Sequence, residues 1–464
     1  MPRARSILIA GCFFGLACCA GDDVRLLFTG DILLSRQVRR EIEVTGRFPW
    51  DGFAQLFHGA AWVAGNLEGA VGDPRECLPA ASGSPCFDIP PASIPLLTRA
   101  GFRALGIANN HAFDLGSAGH RATREALQHE GLEALSWEDS PAFVKIGAYD
   151  AAVIAVSLVP GRDGARQQIP STELRQKLRL ARNLADIVVV FIHWGSELLD
   201  WPDTEQRNAA GWLVRNGADL IIGHHPHVVQ APECVQGRPV FFSLGNHLFD
   251  QKYPATKQGL IADCHIRAGV LECAGIGTQT PTGSAFPQPG VASFVPSCPV
   301  RLAPPANVNG YAVRARVLDG EYVMEGRRPL EARAWRSPAL PLVSAEAGKL
   351  AGPAGPDYLL TLERHPSSLD GEDGLRPYVY EARETGLVAR WRGSALAWPL
   401  LDAALLPGNS AVLCALHRRD SFLVLQPGAS GVRTAAYRWN GFGFSGVDDP
   451  QTLEKCRVLF EVER

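Results

Sequence analysis

Residues that commonly bind metal ions follow six short apolar runs in the first 251 positions of the chain. Each run is short and ends abruptly at a polar or glycine-containing segment. The residues at these ends include Asp31, Glu68, Asn110, His111, Asp114, His193, His225, His227 and Asn246. Carboxylate, amide and imidazole groups together suit divalent ions such as Mn²⁺, Fe²⁺ or Zn²⁺, rather than a thiolate site or a calcium cage.

Each of these residues has an ordinary structural interpretation when it is taken alone. A single Asp before a turn usually caps a helix, and a single buried His is usually a hydrogen-bonded core residue. Six successive run ends with the same chemistry are much harder to assign to chance. Because ligand sites in open α/β sheets form at the carboxyl ends of the strands, we expect these side chains to converge.

Two divalent ions held at such a site would act on a phosphate ester. Ions about 3.5–4 Å apart can clamp the ester, activate a water and stabilise an in-line displacement. A neighbouring His can then protonate the leaving oxygen. The same chemistry can attack an amide carbonyl, so hydrolysis of an amide bond stays open as a weaker hypothesis.

The elements that must position these residues alternate along the chain. The apolar runs have the length and β-branched content of buried strands and lie at 24–28, 61–64, 104–108, 187–192, 220–222 and 240–242. Segments with helical spacing lie between some of them, at 118–130, 172–185 and 203–216. This alternation predicts a layered α/β fold.

The remainder of the chain has a different pattern. Residues 271–305 are rich in Gly, Pro, Thr and Ser and predict a long surface excursion, and residues 337–356 predict a linker. Alternating patterns at 357–362, 377–381, 386–391, 411–416, 421–426 and 434–439 predict strands. We therefore predict a first domain over 22–336, a linker over 337–356 and a smaller β-rich domain over 357–464.

The first 21 residues have the pattern of an export leader. Arg3 and Arg5 precede a short apolar stretch that is followed by small residues. Cys19 lies where a lipoprotein carries its lipid, although Cys18 stands before it in place of the usual Gly or Ala. Two interpretations stay open: a lipoprotein tethered to a membrane through Cys19, or a secreted protein. Both predict a periplasmic or cell-envelope location.

Charge and cysteine content narrow the classes of protein. The formal charge of −3 over 464 residues gives no basic footprint for nucleic acid. Eight of the eleven cysteines lie beyond the leader, and an even number in an exported chain favours disulfides. Cys77 with Cys86, and Cys264 with Cys273, could each close a small loop. The sequence has no C-x-x-C pair, which disfavours a cysteine zinc site.

The order of the polar residues resembles the motif set of CapA-type poly-gamma-glutamate capsule proteins, a family of the calcineurin-like metallophosphoesterase superfamily. The motifs span about half of the chain and include Gly30-Asp31, Asn66-Leu67-Glu68-Gly69, Asn109-Asn110-His111-x-x-Asp114, His193-Trp194-Gly195-x-Glu197, His224-His225-Pro226-His227 and Gly245-Asn246. The resemblance implies a layered α/β sandwich of the metallophosphoesterase type with two divalent metal ions.

The resemblance also implies roles for the ligands of the first metal. Asp31 matches its carboxylate ligand, His227 matches its imidazole ligand, and Glu68 stands where the superfamily has a carboxylate that bridges both ions. One usual ligand is missing, because Leu33 occupies the position where the superfamily commonly has a His. This departure predicts a weaker first metal site, or one completed by water.

The second metal and the proton donor are matched by other residues. Asn110, His193 and His225 match the ligands of the second metal. His111 matches the His that contacts the phosphate and donates a proton, and Asp114 is expected to orient His111. The resemblance assigns no role to Asn109, Glu197 or His224. His247, where an aromatic residue usually stands, could be an extra ligand, a substrate contact or a ring that fills the aromatic position, and we favour the last interpretation.

Two function classes follow. The first is an exported, metal-dependent hydrolase of phosphate esters or related anionic substrates, linked to capsule or poly-gamma-glutamate biosynthesis. The alternative is a non-catalytic envelope factor that binds or tethers an anionic polymer. Retention of His111 favours catalysis, because binding alone needs no proton donor, whereas Leu33 favours the alternative.

Overall fold

The structure is a computed structural model. It describes residues 23–79, 85–162, 164–329, 331, 333–366, 373–393, 396, 399–418 and 431–460. The leader at 1–21, with Cys19, lies outside the described residues, as does the strand predicted at 421–426. Within the described residues, none of the helices is long and apolar enough to cross a membrane.

The described chain contains seven α-helices. They are α1 (Arg36–Thr45), α2 (Ala54–His58), α3 (Pro95–Ala100), α4 (Gly116–His129), α5 (Thr172–Leu184), α6 (Thr204–Arg215) and α7 (Pro450–Phe460). The three helices predicted from spacing correspond to α4, α5 and α6. Side-chain caps explain where two of them begin: Ser171 accepts from the Leu174 amide, and Asp203 forms a capping box with Gln206.

The first 301 residues supply nineteen strands within the described part of the chain. They are β1 (Val24–Ile32), β2 (Trp62–Leu67), β3 (Ala70–Val71), β4 (Asp88–Ile89), β5 (Ala104–Gly106), β6 (Glu133–Leu135), β7 (Ala142–Ile146), β8 (Tyr149–Ser157), β9 (Ile187–His193), β10 (Leu220–His224), β11 (Val229–Gln230), β12 (Glu233–Val235), β13 (Arg238–Phe241), β14 (Ser243–Leu244), β15 (Asn246–Leu248), β16 (Gln258–Arg267), β17 (Val270–Gln279), β18 (Gln288–Ser293) and β19 (Val300–Arg301). All six apolar runs form strands, as predicted.

Two mixed sheets face each other in this region. The first has the order β18-β17-β16-β1-β2-β5-β6, with β15 beside β1 and β19 beside β17. The second has the order β12-β13-β10-β9-β8-β7. Phe28 on β1 contacts Phe191 on β9 across the interface, with ring centroids 5.8 Å apart. Buried side chains of α1 and α3 pack on the outer face of the first sheet, and those of α5 and α6 on that of the second. The predicted layered α/β sandwich is confirmed.

The C-terminal part is rich in short antiparallel sheets. Its strands are β20 (Asn307–Val308), β21 (Tyr311–Leu318), β22 (Glu321–Arg327), β23 (Ala334–Arg336), β24 (Leu342–Gly348), β25 (Tyr358–Pro366), β26 (Asp373–Arg383), β27 (Gly386–Arg392), β28 (Leu400–Leu406), β29 (Val412–Arg418), β30 (Val432–Trp439) and β31 (Phe444–Val447). They form three four-stranded sheets in chain order. The predicted β-rich character is confirmed.

Two expectations about connecting segments are wrong. The predicted linker over 337–356 contains β24, which pairs with β25 because Leu342 and Ala345 bury their side chains in a core. The predicted surface excursion over 271–305 contains β17, which pairs with β16 along its whole length. Both segments are rich in Gly, Ala and Pro, and this composition conceals the pattern of a strand. The division into domains itself stays a prediction.

Helix α5 joins the two parts of the chain through a buried ionic contact. Arg179 donates to Asp402 on β28 at 2.6 Å, and Gln176 donates to the same carboxylate at 3.0 Å. On the same helix, Leu180 and Leu184 pack with side chains of β20 and β21. The C-terminal sheets therefore cover a surface of the α/β sandwich.

Four disulfides connect the eight cysteines beyond the leader. The predicted pairs Cys77–Cys86 and Cys264–Cys273 are confirmed. The other two pairs are Cys234–Cys298 and Cys414–Cys456. The first of these ties β12, at the edge of the second sheet, to the segment that precedes β19.

The long disulfide loop is expected to stabilise the fold more than the short one. Cys234–Cys298 joins residues 64 apart in sequence and Cys264–Cys273 joins residues 9 apart. Replacing the first pair by Ala should lower the free energy of unfolding by roughly 4 kcal/mol, about 1–2 kcal/mol more than replacing the second. Urea unfolding of the two double variants measures the difference. Equal losses would show that loop length does not decide the stabilisation.

Candidate metal centre

The metal-capable residues meet at one edge of the two facing sheets. Asp31 lies near the end of β1 and Glu68 directly follows β2, both in the first sheet. His193 is the last residue of β9, in the second sheet, and His225 and His227 follow β10. The parallel ladders place Asp31 beside Asn66, and His193 beside His224. The predicted convergence is therefore observed, with both sheets contributing side chains.

Close backbone contact holds these strand ends in place. The Asp31 amide donates to the Gly245 carbonyl at 3.0 Å, and a Cβ atom at Gly30 would lie 1.9 Å from that oxygen. His225 and His227 have φ values of 99° and 59°, in the left-handed region that non-glycine residues rarely occupy. Strained backbone of this kind clusters at functional sites.

Asp31, Glu68 and His227 form the first group of potential ligands. One ligand atom from each lies within 4.8 Å of the other two, and all three residues are buried. His227 Nδ1 is 3.3 Å from Asp31 Oδ2, and His227 Nε2 is 3.7 Å from Glu68 Oε1. Asn66 donates to the other oxygen of Asp31 at 2.8 Å, which leaves Oδ2 turned to the group.

Asn246 determines how the His227 ring is presented. Its Nδ2 lies 3.0 Å from Gln251 Oε1 and 3.1 Å from the Thr256 carbonyl, so its Oδ1 faces His227 Nδ1 at 2.9 Å. This acceptor places the ring proton on Nδ1 and leaves the lone pair on Nε2, which faces Glu68. A hydrogen bond of this type is the usual support of a metal-ligating imidazole.

Asn110, His193 and His225 form a second group beside the first. Asn110 Oδ1 and His193 Nε2 are 2.8 Å apart, and the rings of His193 and His225 have centroids 4.8 Å apart. The His225 amide is 3.4 Å from Asp31 Oδ2, which links the two groups. A separation of 2.8 Å suits either a hydrogen bond or two ligands of one ion with bonds of about 2.1 Å.

His111 and Asp114 lie next to both groups. His111 Nδ1 is 2.8 Å from Asp114 Oδ2, and His111 Nε2 is 3.7 Å from Glu68 Oε1. The Phe87 ring stacks on the His111 ring with a centroid distance of 3.9 Å. The contact with Asp114 fixes the His111 ring with Nε2 turned toward the carboxylate of Glu68.

Glu68 has an environment that a lone carboxylate does not tolerate. It is fully buried, and among the residues that the structure describes neither of its oxygens has a hydrogen-bond partner. Burial raises the pKa of the Glu68 carboxyl to about 8. A buried, unpaired carboxylate costs several kcal/mol unless it is protonated or meets a cation, so a divalent ion fits this position.

The histidines divide into two electrostatic classes. Burial lowers the pKa of His225 to about 3, and it lowers the pKa of His193 well below its usual value. Both rings are therefore neutral at physiological pH, as metal ligands must be. Burial also acts against protonation of His227, but Glu68 and Asp31 outweigh it and raise the pKa of His227 to about 9.

A further orphaned atom supports the second group as a ligand set. Within the described part of the chain, Nδ1 of His225 is buried without a hydrogen-bond partner. Buried polar side-chain atoms are normally paired, so an unpaired nitrogen needs a partner such as a metal ion. Both groups therefore fit divalent metals by the chemistry and burial of their donors.

Comparison with known proteins decides the family. Residues 25–251 match the family described as "Bacterial capsule synthesis protein PGA_cap". The chain is 30% identical over 262 residues to the "PGA biosynthesis protein CapA" of Bacillus subtilis (strain 168), a match that covers 53% of this chain and 69% of that protein. The chain belongs to the CapA family.

A second relative matches over a similar length of the chain, and one solved structure is distantly similar. The "Capsule biosynthesis protein CapA" of Bacillus anthracis is 28% identical over 268 residues, a match that covers 53% of this chain and 64% of that protein. A crystal structure of a novel phosphatase from Mycoplasma pneumoniae is 12% identical with a TM-score of 0.35, covering 61% of this chain and 95% of that one. A TM-score this low carries no argument about fold or function.

Two of the three CapA motif residues without an assigned role, His224 and Asn109, have hydrogen-bond partners. His224 Nε2 is 3.2 Å from the Thr29 carbonyl, so it joins β10 of one sheet to β1 of the other. Asn109 donates to Asn66 at 3.1 Å, and its Oδ1 accepts from the His111 amide at 3.1 Å. Glu197 is exposed and acts on Glu68 only through its charge.

Leu33, which departs from the superfamily pattern, and His247, which departs from the CapA pattern, both lie in the core. Leu33 is completely buried in the apolar cluster beneath the first sheet. His247 is also buried, accepts a hydrogen bond from the Trp50 indole at 3.1 Å, and contacts the Phe53 ring with centroids 5.1 Å apart. These contacts agree with the interpretation of His247 as a packing ring.

One residue of this centre had no signal in the sequence. Arg162 donates to Asp114 Oδ1 at 2.6 Å from the loop between β8 and α5. The sequence of that loop shows no hydrophobic periodicity and matches no motif. An arginine in it therefore cannot be distinguished, from the sequence, from a solvated surface arginine.

Metal affinity of this CapA protein is expected to rise with pH. In the metal-free protein Glu68 and His227 have pKa values raised to about 8 and about 9, so a bound ion must displace protons from them. Raising the pH from 6.5 towards 9 removes these protons and should increase Mn²⁺ affinity by up to about tenfold per pH unit for each proton. Calorimetric titrations with Mn²⁺ in buffers of different ionisation enthalpy measure the affinity and the number of protons that binding releases. A pH-independent affinity without proton release would contradict the assignment.

Proposed function

We propose that this CapA protein is an exported metal-dependent hydrolase that acts on phosphate esters or related anionic substrates in capsule or poly-gamma-glutamate biosynthesis. The observation that carries the proposal is the buried carboxylate of Glu68, which has no hydrogen-bond partner among the described residues and lies 3.7 Å from both His227 and His111. A site built only for packing would not keep such a group. A metal centre with an adjacent proton donor accounts for it.

Two ligand sets would hold the ions. Asp31, Glu68 and His227 would bind one divalent ion, and Asn110, His193 and His225 would bind the other. Such ions neutralise the charge of a phosphate ester and polarise its oxygen atoms. The donor types suit Mn²⁺, Fe²⁺ or Zn²⁺.

His111 is the residue placed to move a proton. Its Nδ1 is held by Asp114 at 2.8 Å, so its Nε2 is the nitrogen that faces the ligand groups. In its cationic form this nitrogen would donate a proton to the leaving oxygen of the substrate. Asp114 holds the ring through Nδ1, and the stacked Phe87 ring shields one of its faces from water.

The substrate and the location follow from chemistry and from the relatives. Two dications attract an anionic small molecule or polymer, and relatives named for capsule and PGA biosynthesis support an anionic polymer or its precursor. Four disulfides support an oxidising compartment outside the cytoplasm. We propose a periplasmic or envelope location, with a lipidated Cys19 as the membrane tether, and no nucleic-acid partner.

A second candidate is a non-catalytic envelope factor that binds or tethers an anionic polymer. The observation that favours it is the buried Leu33 at the position of a usual metal ligand. Binding of poly-gamma-glutamate that is unchanged by a chelator and by His111→Ala, together with no turnover, would support this candidate.

Replacing His111 should separate catalysis from metal binding. With Mn²⁺ added, we expect the wild type to hydrolyse p-nitrophenyl phosphate, and His111→Ala to lower kcat by about 10²- to 10⁴-fold while it retains its metal. Glu68→Gln should lose both metal and activity, because it removes the charge that the ion balances. Steady-state kinetics and metal analysis measure these effects.

The exposed His129 on α4 provides the matched control. His129→Ala should behave like the wild type in activity and in metal content. Full turnover by Glu68→Gln would rule out the proposed centre.

A further inference from the structure

Asp114 is held by more donors than a residue that only orients an imidazole requires. It is completely buried, and its Oδ2 accepts from the Phe87 amide at 2.7 Å in addition to facing His111 Nδ1 at 2.8 Å. Its Oδ1 accepts from Arg162 Nε at 2.6 Å. Both oxygens of this buried carboxylate are therefore held by donors of the protein.

Arg162 approaches Asp114 from the other sheet. Asp114 follows β5 of the first sheet, whereas Arg162 lies in the loop between β8 of the second sheet and α5. The side chain of Arg162 is 6% exposed. A guanidinium buried to this extent is not a surface contact for a substrate, and its charge is directed to Asp114.

The same guanidinium also holds the loop that is closed by the Cys77–Cys86 disulfide. Arg162 Nη1 donates to the Leu78 carbonyl at 2.8 Å, and the Leu78 amide donates to the Asp114 carbonyl at 2.9 Å. Phe87, directly after Cys86, supplies both the amide that binds Asp114 and the ring that stacks on His111. Both ends of this loop are thus attached to Asp114.

These contacts form one chain of restraints that ends at His111. With Oδ1 occupied by Arg162, the carboxylate can present only Oδ2 to the imidazole, and the ring proton is directed to Nδ1. Without Arg162, Oδ1 would be a buried acceptor with no donor among the contacts described above, and rotation of the carboxylate would release His111.

We propose that Arg162 is a positioning residue for His111, which acts through Asp114 and keeps Nε2 of the imidazole turned to the reacting centre. The proposal rests on the proposed hydrolase function of the site. The guanidinium of Arg162 contacts Asp114 and the Leu78 carbonyl. It sets the orientation of the proton donor from the opposite sheet.

The test is a double-mutant cycle with Asp114 in the full chain loaded with Mn²⁺. Arg162→Gln should lower kcat on p-nitrophenyl phosphate by about 10- to 100-fold and leave KM and metal content within about twofold. In the Asp114→Asn background the same change should have no further effect beyond about twofold, because Arg162 acts through Asp114. Arg162→Lys, which keeps the charge, should restore part of the loss.

The matched control is the exposed Arg166 of the same loop, and Arg166→Gln should leave kcat unchanged. Losses that multiply in the double variant, or a raised KM with an unchanged kcat, would overturn the proposal. The first result would mean that Arg162 acts independently of Asp114, and the second that it binds substrate. Equal effects of Arg162→Gln and Arg166→Gln would overturn it as well.

A spectroscopic measurement keeps this proposal separate from the hydrolase function. In the diamagnetic Zn²⁺-loaded chain, the ¹⁵N shifts of the His111 ring report which nitrogen bears the proton, and no turnover is needed. The Nδ1–H form should dominate in the wild type and give way to a mixture in Arg162→Gln. An unchanged ring signature would overturn the positioning role, whereas an inactive wild type with the expected signature would count only against the hydrolase.

Discussion

The structure of the site depends on the charge of Glu68. A completely buried carboxylate without a donor among the described residues is stable only as a neutral acid or beside a cation. His227 lies 3.7 Å from it on one side and His111 lies 3.7 Å from it on the other. The two histidines are placed to balance this charge, because an imidazole can either hold a metal ion or carry a proton.

The sandwich architecture explains how such a centre is assembled from distant residues. Asp31 and Glu68 come from strand ends of one sheet, and His193 and His225 from strand ends of the other. The sheets are held in register by core contacts such as Phe28 with Phe191, and near the site by His224, which contacts the Thr29 carbonyl. The relative position of the two ligand sets is thus a property of the core, not of flexible loops.

Much of the α/β region could be predicted because local pattern and burial agree there. The six apolar runs mark strands, and the candidate ligands lie at or just after the ends of β1, β2, β5, β9 and β10. The strands β17 and β24 could not be predicted, because their Gly, Ala and Ser content hides the alternation that pairing imposes. Composition in such segments reflects tight packing against neighbours, which only the fold reveals.

The convergence of the candidate ligands could be predicted from the sequence, but the residues that support them could not. Metal ligands come from few residue types and follow strand ends. Supporting residues can be of many types, and only their position in the folded structure identifies them. Arg162 acts from a loop without period, and the acceptor role of Asn246 depends on Gln251 and the Thr256 carbonyl. A residue whose function consists of holding another residue has no signature in a single sequence.

The ionic contact on α5 bears on how the chain could be divided. Arg179 is buried against Asp402 and Glu346, both from the C-terminal sheets, and the adjacent Leu180 and Leu184 are covered by the same region. A fragment ending before β24 would leave the Arg179 guanidinium without its acids and would uncover the part of the α5 face that β24 contacts. Such a surface favours aggregation, so failure of a fragment to stay soluble would say nothing about its chemistry.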